Sequence, residues 1–388
     1  MKIAFLTSEY PHARANFAAG IGTSIMNLSK GLLQQGHEVV IVLYGQDKDE
    51  TFQDNAITFY KIKNIKLKGF SRILTQKKIQ KLLNALVKEG KVDLVEVPDW
   101  TGISSNIKPN CPLVIKLHGT DTYFCHLDNR PVKFINKLRE EKALKKADAW
   151  LSVSQYVAKV TKELFSLSND FTVIPNGIDL EQFSLRNDQQ SAQENTILYF
   201  GTLIRKKGLL ELPLIFNEVY QQNNQAKLIL IGRDASDIIS GNASTWSMMQ
   251  TLFDKEVLPN VNYLGSVPYD QIKVHINAAT VCVFPTFAEA LPVSWIEAMA
   301  MQKAIVASNI GWATEVIDDN SNGFLEHPKA HSDYAKKIVT LLEDENLRKQ
   351  FGAKAKEKAT QKFSIEVVAR QSAEFYQRIL NDYKQKES

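Results

Sequence analysis

Short hydrophobic runs alternate along the chain with segments in which apolar positions recur every three or four residues. Lys2–Leu6 is a short apolar strand, and residues 20–35 carry apolar side chains at helical spacing. Gly36 ends that helix and precedes a second apolar strand over 37–43. Further strands are predicted at 93–97, 113–117, 149–153 and 171–174. Strands separated by helices predict a parallel sheet with right-handed crossovers.

The alternation restarts after a polar break. Residues 186–195 carry no periodic apolar signal and predict a linker or exposed turn. New strands are predicted at 196–200, 227–231, 261–264, 281–284 and 304–307, with a helix from about Gly208 and a last helix from Ser364. The pattern predicts an α/β protein of two Rossmann-like, doubly wound domains facing each other across a cleft. In such sheets ligands bind beyond the carboxyl ends of the strands.

Composition excludes several classes of protein. The 388 residues are 44% hydrophobic and 23% charged, with a net charge of +4, which is too mild for a nucleic-acid binder. Three cysteines far apart argue against a disulfide framework or a zinc site and fit a reducing, cytoplasmic compartment. The chain turns polar at Thr7–Glu9, so we expect no signal peptide, and no apolar run approaches the length of a spanning helix.

Positive charge is concentrated between Lys61 and Lys91. This stretch holds ten basic residues and one acidic residue, Glu89. Such a segment would be attracted to an anionic membrane surface. A solvated basic helix explains the same pattern, and both interpretations stay open.

The most informative motif follows the strand at 281–284. Glu289 is expected in the loop at the carboxyl end of this strand, and Glu297 in the following helix, whose first turn is expected to contain Pro292. The amides of Leu291 and Val293 at the helix start are candidate donors to a phosphate or a hydroxyl. Two carboxylates at this position could accept hydrogen bonds from sugar hydroxyls. Alternatively, Glu289 caps the helix and Glu297 points to water.

At this point the chain resembles the retaining, nucleotide-sugar-dependent glycosyltransferases of family four, which have the GT-B fold. The resemblance covers nearly the whole chain in the expected order. The motifs that carry it are Gly36-His37-Glu38-Val39, Ile174-Pro175-Asn176-Gly177-Ile178-Asp179, Lys207-Gly208, the pair Glu289 and Glu297, Glu297-Ala298-Met299-Ala300 and Asn322-Gly323-Phe324-Leu325.

The resemblance implies a role for each matching position. Glu289 would contact the donor sugar, Glu297 the ribose hydroxyls, and Lys207 the diphosphate, whose negative charge grows as its bond to the sugar breaks. His118 would lie close to the transferred sugar. The other implied donor-binding residues are Gly20, Gly22, Thr202, Ala290, Leu291 and Val293. The resemblance also implies an acceptor-binding domain over 1–183, a nucleotide-sugar-binding domain over 184–363 and a helix over 364–388 that returns to the first domain.

Three positions depart from the family pattern. Thr202 stands where the family commonly has the arginine of a Gly-Arg pair, and Arg205 or the adjacent Lys206 could replace its charge, with Arg205 the candidate three residues on. Pro292 replaces a glycine and removes one N–H donor. Ala19 replaces the first glycine of the amino-terminal pair.

The implied activity is the transfer of a sugar from a nucleoside diphosphate, most often UDP, to a saccharide or lipid-linked saccharide in cell-surface polysaccharide synthesis. We expect no metal and no other cofactor, because cations and helix termini can hold the diphosphate. Asp47 and Asp49 have the spacing of a metal-binding Asp-x-Asp motif but lie in a polar segment that predicts a solvated loop.

Three other functions remain open. A nucleotide-sugar epimerase would need acid and base groups around the sugar and no acceptor. A catalytically silent nucleotide-sugar-binding protein would be expected to lose Glu289 or Lys207, and both are present. A dinucleotide-dependent oxidoreductase needs a glycine-rich turn after the first strand, and residues 6–11 contain no glycine.

Overall fold

A computed structural model describes residues 1–16, 19–168, 170–184 and 194–387. It divides into two compact units, Met1–Gly177 with Phe363–Ser388, and Ile178–Lys362. The sequence places the same division at 183/184 and 363/364. The greater part of the predicted linker over 186–195 lies outside the described residues.

The first unit is an eight-stranded sheet with helices packed against it. In chain order its elements are β1 (Lys2–Thr7), α1 (Gly20–Gln34), β2 (Glu38–Gln46), β3 (Glu50–Asp54), β4 (Ile57–Lys63), α2 (Ser71–Lys88), β5 (Leu94–Pro98), β6 (Leu113–Leu117), α3 (Asp121–Leu127), α4 (Phe134–Lys146), β7 (Ala149–Ser152), α5 (Gln155–Phe165) and β8 (Thr172–Val173). The strand order is β3-β4-β2-β1-β5-β6-β7-β8. All neighbouring strands are parallel except β3 and β4, which form a hairpin.

The second unit is a six-stranded parallel sheet. Its elements are β9 (Thr196–Phe200), α6 (Leu212–Gln222), β10 (Lys227–Ile231), α7 (Thr245–Gln250), β11 (Val261–Tyr263), α8 (Ile272–Ala278), β12 (Val281–Phe284), α9 (Val293–Ala300), β13 (Ala304–Ser308), α10 (Ala313–Val316), β14 (Phe324–Glu326), α11 (His331–Glu343) and α12 (Glu345–Lys358). The strand order is β11-β10-β9-β12-β13-β14. Strands β9 and β12 are completely buried because helices cover both faces of the sheet.

The last helix, α13 (Ile365–Glu387), packs on α1 of the first unit. A side chain at Gly31 would lie 2.6 Å from the carbonyl oxygen of Ile365, so glycine lets the two helices approach closely. The buried Tyr376 hydroxyl donates to Glu96 on β5 at 2.5 Å, which ties α13 to the sheet. The return of the last helix to the first unit follows from this packing.

The predicted α/β class and the doubly wound pattern are confirmed, with local corrections. The hairpin β3–β4 and the strand β14 were not predicted, and the helix expected from about Gly208 begins at Leu212. The segment 61–91 is not one exposed helix, because it begins in β4 and Lys61 is buried beside Asp47. None of the helices in the described ranges combines the length and the apolar composition needed to cross a bilayer.

Candidate functional site

The second sheet has its topological switch point between β9 and β12. From β9 the chain proceeds outward through β10 and β11 on one side, and from β12 through β13 and β14 on the other. The loops that follow two such strands diverge and leave a crevice at the carboxyl edge, where doubly wound proteins bind ligands. Residues 201–211 and 285–292 are these loops.

The two loops are packed directly against each other. The amides of Phe287 and Ala288 donate to the Lys206 carbonyl at 2.9 and 3.1 Å. Gly208 has φ +73, and a side chain there would lie 1.7 Å from the Pro285 carbonyl oxygen. Only glycine therefore combines this backbone conformation with this close approach.

The packed loops bring Lys207 and Glu289 together. Lys207 Nζ lies 2.7 Å from Glu289 Oε1, and both side chains are partly exposed. A side chain at Gly201 would lie 3.5 Å from Lys207 Nζ, so glycine leaves the ammonium group open on that side. Thr202, next in the loop, accepts a hydrogen bond from the Tyr199 hydroxyl through its carbonyl. The arrangement places one cation and one carboxylate at the centre of the crevice.

Arg205 makes a bidentate ion pair with Asp237, which lies in the loop between β10 and α7. Its Nε and Nη2 donate to the two carboxylate oxygens at 2.8 and 2.7 Å. Asp237 also accepts hydrogen bonds from the amide and the hydroxyl of Ser240. These bonds hold the pKa of the Asp237 carboxyl well below its usual range, with the Arg205 contribution the largest. Arginine has five N–H donors and this pair uses two, so Arg205 keeps donors for an anion.

Glu297 is buried rather than turned to water. The Tyr269 hydroxyl donates to Glu297 Oε1 at 2.7 Å, and the Tyr269 ring packs edge-on against Phe183. Burial raises the pKa of Glu297 to about 7, while the Tyr269 hydrogen bond and the charge of Lys207 oppose that rise. The carboxyl group is therefore poised to change its charge near neutral pH.

The segment between the two glutamates leads into α9. Ala290 and Leu291 are buried, Pro292 is the residue before the first helical turn, and Val293 begins the helix. Pro292 was expected inside the first turn and precedes it by one position. All donor-site residues predicted from 202 to 297 thus lie in one unit, on the loops around the switch point or in α9.

His118 lies in the first unit, directly after β6. The buried carboxylate of Asp99 accepts the amides of His118 and Gly119 at 2.9 and 3.2 Å and fixes this turn. Burial, reinforced by the charge of Lys116, lowers the pKa of His118 to about 3. The imidazole is therefore neutral at physiological pH and can donate or accept a hydrogen bond.

Gly20 and Gly22 lie at the start of α1. The Glu9 carboxylate accepts the Gly22 amide at 2.7 Å, so a side chain of the chain itself already occupies this helix start. A side chain at Gly22 would lie 3.0 Å from the backbone of Glu9 and Tyr10, whereas Gly20 is exposed with no atom within 4 Å of such a position. Gly22 therefore lets the start of α1 pack closely on the backbone of Glu9 and Tyr10, and Gly20 leaves space at the helix start.

The candidate Asp-x-Asp motif is neutralised by lysines. Asp47 lies 2.8 Å from Lys61 Nζ, and Asp49 lies 2.6 Å from Lys78 Nζ. Over the described parts of the chain, no group of three or more His, Cys, Asp or Glu side chains has the arrangement of a metal site.

Sequence reasoning missed three residues that support the predicted ones. They are Asp99, Asp237 and Tyr269. Asp99 follows β5 directly, so its position at the carboxyl end of a strand could have indicated it. Asp237 and Tyr269 have no comparable signal, because their partners are 32 and 28 positions away.

Two family profiles match the chain in succession. "Glycosyltransferase Family 4" matches residues 18–182, and "Glycosyl transferases group 1" matches residues 181–358. Together the two profiles span nearly the whole of both sheets.

Several curated proteins are similar to the chain. An uncharacterised glycosyltransferase of Methanocaldococcus jannaschii is 26% identical over 97% of this chain and 98% of its own length. The capsular polysaccharide biosynthesis glycosyltransferase CapM of Staphylococcus aureus is 25% identical over 65% of this chain and 64% of its own. Alpha-monoglucosyldiacylglycerol synthase of Acholeplasma laidlawii is 23% identical over 79% of this chain and 80% of its own.

Solved structures share the fold at low sequence identity. Sucrose-phosphate synthase from Thermosynechococcus elongatus superposes with a TM-score of 0.81 at 19% identity, over 98% of this chain and 100% of that one. Anabaena HepE in complex with UDP superposes with a TM-score of 0.72 at 19% identity, over 97% and 100%.

Proposed function

Since the chain belongs to the family-four glycosyltransferases of the GT-B fold, we propose that it transfers the sugar of a UDP-sugar to a hydroxyl of a saccharide or lipid-linked saccharide, with UDP as the leaving group. That the chain is a glycosyltransferase rests on the family profiles and the curated relatives. The proposed role in cell-surface polysaccharide or glycolipid synthesis draws on its similarity to CapM and to alpha-monoglucosyldiacylglycerol synthase. UDP is proposed because HepE, which shares the fold, was crystallised with UDP and with UDP-glucose.

One observation carries the proposal: Lys207 and Glu289 meet at 2.7 Å at the switch point of the second sheet. A departing diphosphate needs positive charge next to its oxygens, and Lys207 is suited to supply it. A transferred sugar needs acceptors for its hydroxyls, and the Glu289 carboxylate is suited to that task. In the structure, each of these two groups neutralises the other.

The other predicted residues would bind the diphosphate or the nucleoside and sugar hydroxyls in the same way. Arg205, held by Asp237, adds a second cation toward the diphosphate through its remaining N–H donors. Glu297 accepts the ribose hydroxyls, and Ala290, Leu291, Val293 and Thr202 complete the donor site. Charge on the diphosphate is then balanced by side chains, so we propose that transfer needs no metal ion.

In the first unit, neutral His118 supplies a hydrogen bond close to the transferred sugar. Its pKa of about 3 argues against a role as a general acid at neutral pH. We propose, from the family resemblance, a transition state with oxocarbenium character and retention of the anomeric configuration. The acceptor hydroxyl would then attack from the face of the leaving group.

Nucleotide binding can be tested before the acceptor is known. We expect UDP and UDP-sugars to raise the melting temperature more than ADP or GDP compounds. A ligand at 100 times its Kd adds about 2.7 kcal/mol to the free energy of unfolding. Failure of every nucleoside diphosphate to stabilise the protein would contradict the proposal.

A second assay separates transfer from the alternative functions. A transferase releases UDP faster when acceptor is present, an epimerase interconverts the donor without acceptor, and a silent binding protein does neither. We expect acceptor-dependent release, with glycolipid and oligosaccharide fractions of a cell envelope as the first probes.

A further inference from the structure

The start of α2 exposes three large apolar side chains to solvent. Phe70 is 60% exposed, and Leu67 and Ile73 on either side of it are also exposed. An exposed apolar residue is unremarkable by itself, but a contiguous group of them indicates an interaction surface.

A second exposed apolar group lies at the start of α4. Phe134 is 76% exposed, and Ile135 and Leu138 are exposed beside it. Trp100, in the short helical segment Trp100–Asn106 that follows β5, is a further exposed aromatic residue.

Hydrogen bonds and close packing join these segments into one surface. Arg72 on α2 donates to the Thr101 carbonyl at 2.6 Å, and Gln76 donates to the Ile103 carbonyl at 2.7 Å. On the other side, a side chain at Gly102 would lie 2.4 Å from the Arg139 carbonyl oxygen of α4. Segment 100–106 therefore lies between α2 and α4. We call the seven exposed side chains the apolar face: Leu67, Phe70, Ile73, Trp100, Phe134, Ile135 and Leu138.

The segments that carry the apolar face are cationic and contain no acidic residue. Residues 64–73 include three Lys or Arg, residues 100–108 one, and residues 129–139 four, with no Asp or Glu in any of them. Within these segments Arg130 pairs with Asp128 at 3.0 Å, and elsewhere in 61–91 Lys61, Lys78 and Lys91 also pair with carboxylates. The exposed Lys66 and Lys68 beside Phe70, and the exposed Lys133 beside Phe134, supply positive charge that can act on a partner.

We propose that the apolar face docks on an anionic phospholipid bilayer. Aromatic and aliphatic side chains bordered by Lys and Arg match the boundary between acyl chains and negatively charged headgroups. A protein partner would need a surface that is both apolar and strongly acidic, whereas an anionic bilayer offers both properties everywhere. The occupant is therefore a membrane, and the surface shares residues 64–73 with the basic segment 61–91 but adds residues around Trp100 and Phe134.

The position of the apolar face also assigns the class of acceptor. Trp100 follows β5 and His118 follows the neighbouring strand β6, so both lie at the carboxyl edge of the first sheet. An acceptor hydroxyl presented at His118 would come from a molecule anchored in the docked bilayer. This assignment of a lipid-linked acceptor rests on the proposed function, whereas the docking does not.

Flotation of the full chain with vesicles tests the docking. We expect binding to vesicles of phosphatidylcholine with phosphatidylglycerol and about fivefold weaker binding for each cation removed, since each contributes about 1 kcal/mol near the surface. The double variant Phe70→Ser with Phe134→Ser is expected to lose binding. The matched control Ile238→Ser with Ile239→Ser, which alters two residues of the second unit that are 73% and 63% exposed, is expected to keep it.

Three results would overturn the docking. In the first, the wild-type chain does not bind the vesicles, and in the second, both double variants bind them equally. In the third, the wild-type chain is a dimer and the Phe70/Phe134 variant is a monomer. The last result would assign the face to a second copy of the chain. The UDP-induced shift in melting temperature, measured on the same variants, tests the proposed function separately from the docking. If that shift persists while vesicle binding fails, the docking alone is wrong, and if UDP never binds, the proposed function fails.

Discussion

The ammonium group of Lys207 forms an ion pair with the Glu289 carboxylate across two loops that belong to different strands of one sheet. Each group is proposed to contact a different part of the donor, so donor binding must exchange this pair for contacts with ligand. The exchange costs little, because both side chains are partly exposed and the pair is screened by water.

Glu289→Gln separates sugar recognition from diphosphate binding. The amide keeps the shape of the side chain but loses the charge that strengthens bonds to hydroxyls and pairs with Lys207. We expect kcat/KM to fall roughly 10- to 100-fold, in line with the loss of a hydrogen bond to a charged group. UDP should bind at least as tightly as before, because Lys207 is no longer neutralised.

Glu326→Gln is the matched control for Glu289→Gln. Glu326 pairs with Lys337 at 2.8 Å in the same unit, at the end of the edge strand β14. We expect transfer by this variant to be unchanged. A loss of UDP affinity in Glu289→Gln as large as the loss of transfer would contradict the separate roles.

The raised pKa of Glu297 predicts that donor affinity depends on pH. In the proposed function the ribose hydroxyls donate to the Glu297 carboxylate, and the pKa of Glu297 is raised to about 7, so donor affinity should fall as the pH drops below 7. The folded state holds the proton of Glu297 more tightly than the unfolded chain does. The free energy of unfolding should therefore fall as the pH rises from the ordinary pKa of glutamate to about 7. Calorimetric titration with UDP across this range measures the effect, and Glu297→Gln should abolish it.

Tyr269→Phe should move that pH dependence in a defined direction. The lost hydrogen bond stabilises the carboxylate, so the midpoint is expected at higher pH. Tyr334→Phe removes a buried hydroxyl of the same unit, bonded to the Val306 carbonyl at 2.8 Å, and should leave the midpoint in place. Equal midpoints in both variants and the wild type would mean that Tyr269 does not position Glu297.

Asp237→Asn tests the support of Arg205. Asparagine has one amide oxygen and no charge, so it cannot replace both hydrogen bonds that Asp237 accepts from Arg205. We expect the free energy of unfolding to fall by roughly 1–3 kcal/mol and diphosphate binding to weaken. Arg205→Lys keeps the charge but not the bidentate geometry, and its effect should be of similar size. Diphosphate affinity that is unchanged in both folded variants would limit Arg205 to a structural role.

Gly208→Ala tests whether the two loops must touch. Alanine meets both an unfavourable backbone angle and the Pro285 carbonyl at 1.7 Å. Gly241→Ala is the control, since φ is +75 there and no atom lies within 4 Å of the added carbon. We expect about 1 kcal/mol of destabilisation for Gly241→Ala and a larger loss, together with loss of UDP binding, for Gly208→Ala. Equal losses in the two variants would show that loop contact is unimportant.

The sheets could be predicted from the sequence because their strands are buried on both faces. Strand β12 is a continuous apolar run and β6 is interrupted only by Lys116, and the order of such strands along the chain determines the class of fold. The hairpin β3–β4 escaped prediction because its edge position leaves many polar residues in it. Asp47 and Asp49 lie in an exposed loop, as predicted, and each is also paired with a lysine, which the sequence did not indicate.

The site residues that the sequence predicts lie in short motifs after strands, and the structure places Lys207 and Glu289 of two such motifs beside each other. The contact of Glu297 with Tyr269 and the support of Arg205 by Asp237 join residues about 30 positions apart, which periodicity cannot detect. The apolar face escaped for the same reason, because its residues lie in three segments that only the fold brings together.

The central claim is that Lys207 holds the diphosphate of the donor, and calorimetric titration of UDP into Lys207→Met tests it most directly. Uridine, which lacks the diphosphate, and Lys337→Met, which breaks the comparable pair with Glu326, are the controls. We predict that the Kd for UDP rises roughly 10- to 100-fold in Lys207→Met, while the affinity for uridine stays the same and Lys337→Met binds both ligands like the wild type. An unchanged Kd for UDP in a folded Lys207→Met variant would contradict the account.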